Sequence, residues 1–467
     1  MVLSNCNQLM KSHLVIVGLG EVVPYKYMEC ITESVSRGEL DSYSIIDIES
    51  QKENIEKRIK SIDLKPENIF YLPDITKKNI SANLKDFKPV FEKLLKQKGR
   101  LKVFISTETK AHEAYLKFCV EKGIDSLVEK PVFTPINKKG IFDPKRIEPT
   151  MKSFIELARK RPANHSVMTL GRYHRIYNDE IVDVIKNKVI KLKAPITSFH
   201  LRTASGVWNL YREYETREDH PYKYGYGMLM HGAYHYIDLM VQILELNKLI
   251  YPNADFCLDI TSYVAYPEDQ KDRISKRFSN HFSDEAPVWS EKKSGSNNYG
   301  ETDIVSVFCL RNKTTDKVLT LGSISLEQTT PSVRSWKDIP EGFYNKNGRI
   351  SCTDVEVQLS TLFSIHGRSF KVPKAIDGKI IQVDNYAQIR TRSNASLLKD
   401  EEYNTEKTFS NFFNSNSNRK LMTAWFQDKE NRSQLEKHYP AMKITQAIAL
   451  SLQKSGRSVT IDIFEKL

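Results

Sequence analysis

Short apolar runs alternate with helical patterns along the first part of the chain. The runs at residues 14–17, 43–46, 69–72 and 103–105 are each followed by glycine, proline or a polar residue. After the last of them, apolar side chains recur at the i, i+3, i+4 and i+7 spacing of a helix, and a further apolar run follows at 126–128. Strands that alternate with helices in this way predict an α/β fold with a parallel, doubly wound sheet.

The rest of the chain follows a different pattern. Four strand-like runs occupy residues 256–266, 303–311, 317–326 and 355–366. They are interrupted by polar stretches near 268–302 and 388–420, which predict surface excursions. The closing segment from residue 445 predicts a helix and a final strand.

Composition narrows the class of protein without selecting a function. At 467 residues the chain is long enough for two domains, each with its own core. No apolar run reaches the roughly 18 residues that cross a bilayer, so no membrane span is expected. The six cysteines form no Cys-x-x-Cys pair and no zinc-spaced cluster with histidine. Free thiols in a reducing cytoplasm and no bound metal are therefore expected.

The formal net charge of +12 raises the question of an anionic partner. The densest basic segment, residues 85–102, also reads as an amphipathic helix whose lysines face solvent. A surface for an anionic partner stays open as the alternative. No nucleic-acid-binding signature accompanies the charge, so no nucleic acid is expected.

The first apolar run leads into a partial dinucleotide fingerprint. Gly18 and Gly20 occupy the first two glycine positions, and Val23 replaces the third. Asp47 ends the second run, where a carboxylate accepts hydrogen bonds from an adenosine ribose. No arginine follows it to receive a 2′-phosphate, which favours NAD over NADP. A simple loop-start aspartate is the competing interpretation.

The run at 126–128 ends in Glu129-Lys130-Pro131, which puts a lysine at the carboxyl end of a predicted strand. Ligands bind at that edge of open α/β sheets. The ending resembles the signature of the glucose–fructose oxidoreductase/inositol dehydrogenase/rhizopine catabolism (Gfo/Idh/MocA) family, in which the lysine lies beside nicotinamide and substrate. Thr107 and His112 resemble the family's preceding Thr-Pro-Asn-x-x-His segment, although Glu108 replaces the proline and is expected to loosen the turn.

A second segment, residues 225–244 (GYGMLMHGAYHYIDLMVQIL), resembles the family's glycine-rich loop and Asp-x-x-x-His-x-x-Asp helix. His235 falls on the histidine and Asp238 on the last aspartate, whereas His231 replaces the first aspartate. Packed or capping histidines are the alternative, and a His-x-x-x-His metal site lacks both a glutamate and a third ligand.

The resemblance implies a Rossmann domain over residues 1–180 and an α+β domain over 181–467. The latter would have a large, mostly antiparallel open sheet that makes a homodimer or homotetramer. It also implies that Lys130 and His235 are catalytic, with His235 as general acid/base and Lys130 as electrostatic stabiliser. Substrate contacts are expected from His231, Arg172, Tyr226 and Tyr234. Cofactor contacts are expected from Gly18, Gly20, Glu21, Val22, Asp47, Thr107, His112, Glu129 and Lys130.

The function implied is hydride transfer between NAD and a secondary hydroxyl or ketone of a sugar, cyclitol or sugar nucleotide. Because histidine replaces aspartate at position 231, an anionic or keto-bearing substrate is also conceivable. Two alternatives stay open on the same fold. One is a dinucleotide-binding regulator without catalysis, and the other is a glycosidase or lyase that uses NAD without net redox change.

Overall fold

The computed structural model describes residues 11–465 apart from 76–81, 210, 219, 274–298, 332–351, 377–378, 400–401, 411, 413 and 430. The chain divides into two compact units. The first contains Met1–Thr134, Lys152–Met168 and Asn418–Lys437, and the second contains Pro135–Met151, Thr169–Ser417 and His438–Leu467. The sequence placed a single boundary at residue 180, whereas this division is interleaved.

The first unit contains a six-stranded parallel sheet in the order β3-β2-β1-β4-β5-β6. Every residue of β1 and β4 is buried, because helices cover both faces of a sheet of this kind. The predicted parallel, doubly wound sheet is confirmed. Its strands are β1 (Ser12–Val17), β2 (Leu40–Ile48), β3 (Asn68–Leu72), β4 (Leu101–Ile105), β5 (Asp125–Glu129) and β6 (His165–Met168).

Helices connect these strands, and the predicted basic helix is one of them. It spans Leu84–Lys98, and its Phe87, Phe91 and Leu94 side chains are buried while its lysines are largely exposed. The helices are α1 (Val22–Lys26), α2 (Met28–Ser36), α3 (Lys52–Lys60), α4 (Leu84–Lys98), α5 (Thr109–Lys122) and α6 (Ile147–Lys160), with short 3₁₀ turns at Glu49–Gln51 and Pro144–Arg146.

The second unit contains a nine-stranded mixed sheet in the order β14-β13-β12-β11-β7-β10-β9-β8-β15. Only β7 and β10 pair in parallel among its described strands, which agrees with the expected, mostly antiparallel sheet. The strands are β7 (Ile196–Trp208), β8 (Phe256–Ala265), β9 (Asp303–Asn312), β10 (Val318–Pro331), β11 (Cys352–Leu359), β12 (Phe363–Ile376), β13 (Lys379–Ser393), β14 (Asn404–Ser410) and β15 (Val459–Ile463).

The helical segments after β6 complete the architecture. They are a 3₁₀ turn at Gly171–Tyr173, a π-helix at Arg175–Val182, α7 (Asp183–Leu192), α8 (Tyr211–Thr216), α9 (Tyr234–Leu244), α10 (Gln270–Arg273), α11 (Asn414–Phe426) and α12 (Tyr439–Gln453), with 3₁₀ turns at Glu245–Leu249, Pro267–Asp269 and Leu435–His438. Among the described residues, no helix is both long and apolar enough to cross a membrane.

Two predictions about the second half are wrong. The run at 355–366 is not one strand but the end of β11 and the start of β12, with a turn in which Ser360 has a φ of 48°. The polar stretch at 388–420 is not an excursion, because it contains the end of β13, all of β14 and the start of α11. Its polarity arises because β14 is an exposed edge strand. The predicted excursion at 268–302 lies largely outside the described residues.

A buried lysine anchors residues Asn418–Lys437, the returning segment of the first unit, to the first sheet. The Lys102 side chain on β4 is 1% exposed, and its Nζ lies 2.5 Å from Asp428 and 3.5 Å from Asp125. It also donates to the Trp425 carbonyl oxygen at 2.9 Å and lies over the Trp425 ring. A buried charge requires such partners, because its desolvation is otherwise uncompensated.

We therefore expect Lys102→Met to destabilise the first unit by about 2 kcal/mol, because Asp125 and Asp428 lose their buried counter-ion and keep only the more exposed Arg100. Lys98→Met, which breaks a more exposed pair with Glu67, should cost less than about 1 kcal/mol. The free energy of unfolding of each variant is measured by urea denaturation, with the hydrogen exchange of β4 amides as the probe. Equal costs for the two variants would contradict this role of Lys102.

Candidate functional site

The loop between β1 and α1 requires its first glycine. Gly18 has a φ of 88°, and a Cβ there would approach the Ser106 carbonyl oxygen and Thr107 to 3.0 Å. A Cβ on Gly20 would meet nothing within 4 Å, so the backbone faces open space at that point. The third fingerprint position, Val23, is buried. A glycine loop with a close approach on one side and open backbone on the other is the geometry that admits a pyrophosphate.

Asp47 lies at the end of β2 and contacts the same loop. Its carboxylate accepts hydrogen bonds from the Leu19 and Ile48 backbone N–H groups, each at 2.8 Å. Burial raises the pKa of Asp47, and these N–H groups and Arg58 oppose that rise. Arg58 donates to the Leu19 carbonyl oxygen at 2.8 Å and lies 3.9 Å from Glu21. An arginine distant in sequence is thus held at the loop, which the sequence did not predict.

The predicted catalytic lysine lies at the end of β5, at the same carboxyl edge. Desolvation lowers the pKa of Lys130 to about 8; the negative charge of Glu129 opposes this and the positive charge of Lys26 adds to it. Tyr27 donates a hydrogen bond to Glu129, and Asn418 Nδ2 donates to Tyr27 Oη at 3.0 Å. Lys130 therefore lies beside a carboxylate whose position is fixed by a tyrosine and an asparagine of the returning segment.

His112 connects Thr107, a predicted cofactor contact, to Pro131 of the Glu-Lys-Pro ending through their backbone carbonyl oxygens. Its Nδ1 lies 3.0 Å from the Pro131 carbonyl oxygen and its Nε2 lies 3.1 Å from that of Thr107. Burial lowers the pKa of this histidine. Glu108 caps α5 by accepting from the Lys110 N–H at 2.9 Å, so it stabilises the turn that its replacement of proline was expected to loosen. A cofactor contact by the His112 side chain stays a prediction.

In the second unit, α9 carries His235. Its Nδ1 accepts a hydrogen bond from the Leu170 backbone N–H at 3.1 Å. This bond requires an unprotonated Nδ1, so the neutral ring in this arrangement carries its proton on Nε2. The backbone that follows β6 thereby selects the tautomer of the predicted catalytic histidine.

Asp238, one turn further along α9, is the centre of a buried charged network. Its carboxylate accepts from Arg172 at 2.7 Å (Nη2) and 3.0 Å (Nε). His438 Nδ1 lies 3.3 Å from Asp238 and 3.2 Å from the Tyr234 hydroxyl. Burial raises the pKa of Asp238, and Arg172 opposes that rise. Arg172 and Tyr234, both predicted to bind substrate, are thus engaged in this network; a substrate contact by either stays a prediction.

The other two predicted substrate residues lie in an aromatic cluster. The His231 ring is 4% exposed and makes edge contacts with His220, Tyr222 and Tyr226 at centroid distances of 5.1, 5.1 and 5.6 Å. Tyr226 is fully buried and also contacts Phe142. Within the described residues, no group of three or more histidine, cysteine or acidic side chains could hold a metal ion.

The structure adds four residues that the sequence analysis missed, namely Tyr27, Asn418, His438 and Glu301. Glu301 is buried and accepts from the Gly227 and Leu229 N–H groups. No spacing signal could have found these residues, because their partners are 72 to 391 positions away in the chain.

The predicted residues therefore fall into two sets. One set lies at or just after the carboxyl ends of strands in the first sheet and at the start of the helices that follow, namely Gly18, Gly20, Glu21, Val22, Asp47, Thr107, His112, Glu129 and Lys130. Arg172, Tyr226, His231, Tyr234 and His235 lie on or beside α9 in the second unit.

Comparison with known structures identifies proteins of similar fold. An aldose-aldose oxidoreductase from Caulobacter crescentus, in complex with glycerol, matches at 9% identity and a TM-score of 0.55, over 97% of this chain and all of the other. A levoglucosan dehydrogenase in complex with NADH and L-sorbose matches at 12% identity and a TM-score of 0.56, over 98% of this chain and all of the other. The chain has the fold of these oxidoreductases.

A third structure has a sugar nucleotide. The WlbA dehydrogenase from Bordetella pertussis, in complex with NADH and UDP-GlcNAcA, matches at 12% identity and a TM-score of 0.52, over 98% of each chain. No protein-family model matches the sequence, and no curated protein sequence does. The likeness is therefore one of fold.

The two charges beside Lys130 should move its pKa in opposite directions. Glu129→Gln removes the charge that favours the ammonium form, so the pKa of Lys130 should fall further below about 8. Lys26→Met removes a repelling charge, so the pKa should rise. Competitive acetylation of Lys130 against pH, read by mass spectrometry, measures both. Shifts of the same sign would contradict this account of the site.

Proposed function

We propose that the protein is an oxidoreductase of the Gfo/Idh/MocA type that transfers hydride between NAD and a secondary hydroxyl or ketone. The observation that carries the proposal is Lys130, a lysine with a pKa lowered to about 8 at the carboxyl edge of a dinucleotide-type sheet. A pKa near the working pH is what a general acid or base requires. The fold shared with NADH-bound sugar dehydrogenases supports the same activity.

The residues present fit a nicotinamide dinucleotide. Gly20 leaves its backbone open for a pyrophosphate, and Asp47 supplies a carboxylate at the position of a ribose contact. When bound, the nicotinamide would accept or release the hydride. Asp47 would repel a 2′-phosphate, which favours NAD, whereas Arg58 lies at the same loop and would attract one. The choice between NAD and NADP is therefore part of the assay.

The hydrogen bond to His235 suggests how the proton is handled. Because Nδ1 accepts from Leu170, the neutral ring has an N–H group at Nε2 to donate and no lone pair there to accept a proton. We propose that Lys130 exchanges the proton of the substrate hydroxyl and that His235 donates a hydrogen bond to the substrate. This division exchanges the two roles expected from the sequence.

The proposed substrate is a small polyhydroxylated molecule. The structures of similar fold contain glycerol, L-sorbose or UDP-GlcNAcA. In this chain the loop before α9 is rich in tyrosine and histidine, and its aromatic rings offer apolar faces beside hydrogen-bonding groups. A sugar, cyclitol or sugar nucleotide suits such a surface.

The test is nicotinamide absorbance with NAD and NADP against a panel of sugars, cyclitols and sugar nucleotides. Lys130→Met should lower kcat by about 10²- to 10⁴-fold. His235→Gln should retain more activity than His235→Ala, because the amide keeps an N–H donor. In the parent enzyme, kcat/KM for oxidation should rise with pH through about 8, because the neutral amine is the base.

Three results of this assay would contradict the proposed oxidoreductase activity or the role of Lys130. Turnover that survives Lys130→Met would remove the lysine from the reaction. Tight dinucleotide binding without turnover would favour a regulator. Conversion of a glycoside without net reduction of the nicotinamide would favour the redox-neutral alternative.

We also propose that the protein forms a homodimer or homotetramer through the second sheet. Tyr263, Val305, Val307 and Leu321 lie on one face of neighbouring strands and are 43–65% exposed. A cluster of exposed apolar side chains of this kind is typical of a protein interface. The proposal rests on this cluster and on the family resemblance.

Val307→Lys combined with Leu321→Lys should convert the assembly to a monomer of 54.0 kDa in light scattering, because charge at the centre of an apolar interface is desolvated. Leu84→Lys, at an exposed apolar position of α4, is the matched control and should leave the assembly intact. A parent protein that is already monomeric at micromolar concentration would contradict the interface.

A further inference from the structure

A buried carboxylate holds the glycine-rich loop that leads into α9. Glu301 is 6% exposed, and its Oε1 atom accepts hydrogen bonds from the backbone N–H groups of Gly227 at 3.2 Å and Leu229 at 2.9 Å. The Glu301 carbonyl oxygen accepts a third, from the Met228 N–H at 2.8 Å. One residue therefore accepts from three consecutive N–H groups of the loop.

The backbone at Gly300 and Glu301 approaches the glycine-rich loop too closely to leave room for side chains at the contact. A Cβ on Gly300 would lie 1.9 Å from the Tyr226 carbonyl carbon, and one on Gly227 would lie 2.2 Å from the Glu301 carbonyl oxygen. The Gly300 N–H also donates to the Tyr222 carbonyl oxygen at 2.8 Å. Backbone packed against backbone in this way fixes the loop conformation, provided that each buried N–H group has an acceptor.

The loop fixed by Glu301 carries the residues assigned to substrate. Leu229 is two residues before His231 and six before His235, and the His231 N–H bonds back to the Gly227 and Met228 carbonyl oxygens at 3.1 and 3.2 Å. A shift of Gly227 or Leu229 would thus move the start of the segment that positions both histidines.

We propose that Glu301 is a positioning residue, whose Oε1 atom holds the glycine-rich loop in the conformation that presents His231 and His235 to substrate. It acts through the loop and has no part in proton transfer. The expected change in KM rests on the proposed function. The expected change in loop conformation rests only on the hydrogen bonds to Glu301.

The ionisation of Glu301 should make the stability of the protein depend on pH. Burial raises the pKa of Glu301 from 4.5 to about 7, and the three backbone N–H groups that reach its carboxylate, including its own, oppose that rise. The titratable groups that face it are Tyr222 and Tyr266, whose own pKa values are raised partly by its charge. The nearby Asp303 is held by Arg273 at 2.7 Å.

The sign of the stability effect follows from the raised pKa. Below about pH 4.5 the carboxyl is protonated in both folded and unfolded chains, so it has no pH-dependent effect. Between about pH 4.5 and 7 the unfolded chain releases the proton more readily, so stability falls as pH rises. Glu301→Gln keeps an oxygen acceptor and removes this ionisation.

The experiment compares Glu301→Gln and Glu301→Ala in the full chain. Glu301→Ala should raise KM about tenfold or more with a smaller change in kcat, and should speed hydrogen exchange in residues 225–231. Glu301→Gln should keep KM within about threefold and leave that exchange unchanged. Glu356→Gln, which removes one exposed carboxylate from β11, is the control and should change neither.

The melting temperatures of the parent and Glu301→Gln test the role of Glu301 without an activity assay and without the alanine variant. The Tm of Glu301→Gln should equal that of the parent at about pH 4 and exceed it by a few degrees at about pH 8. A Tm difference that does not grow with pH would overturn the inference, as would unchanged exchange of residues 225–231 in Glu301→Ala. If the parent turns over no substrate, the proposed function fails, while exchange and melting still decide whether Glu301 holds the loop.

Discussion

Desolvation at the carboxyl edge of a buried parallel sheet is the constraint on which the first unit depends. All strands of such a sheet end on the same side, so the residues after β1, β2, β4 and β5 meet there. Burial at that edge lowers the pKa of Lys130 and raises that of Asp47. Each of these groups then needs a partner, and the chain supplies Glu129 for the lysine and backbone N–H groups for the aspartate.

In the second unit, backbone groups also serve as partners for buried polar side chains. Leu170 N–H sets the tautomer of His235, and Glu301 accepts from the loop that precedes it. The buried Arg172–Asp238 pair and His438 fix the next turn of α9. Side chains that resemble a substrate-binding set in sequence thus also build the environment of the helix, and their contact with a substrate stays a prediction.

Local patterns predicted most of the elements correctly. The strands of the first sheet, the basic helix α4 and the closing helix and strand follow from hydrophobic periodicity, which depends only on neighbouring residues. The errors occurred where two tertiary environments share one local pattern. A turn at Ser360 is too short to interrupt an apolar run, and an exposed edge strand such as β14 is as polar as a loop.

The sequence by itself determined the kind of fold, the glycine loop and the two motifs that contain Lys130 and His235, because each is encoded in adjacent or regularly spaced residues. Only the tertiary structure decided which groups surround them. Tyr27 meets Asn418 and Gly227 meets Glu301 across 391 and 74 positions. The Tyr27–Asn418 pair orients the carboxylate beside Lys130, and Glu301 holds the loop that leads to His235. Such contacts are selected by packing and desolvation in the folded chain, which no local pattern records.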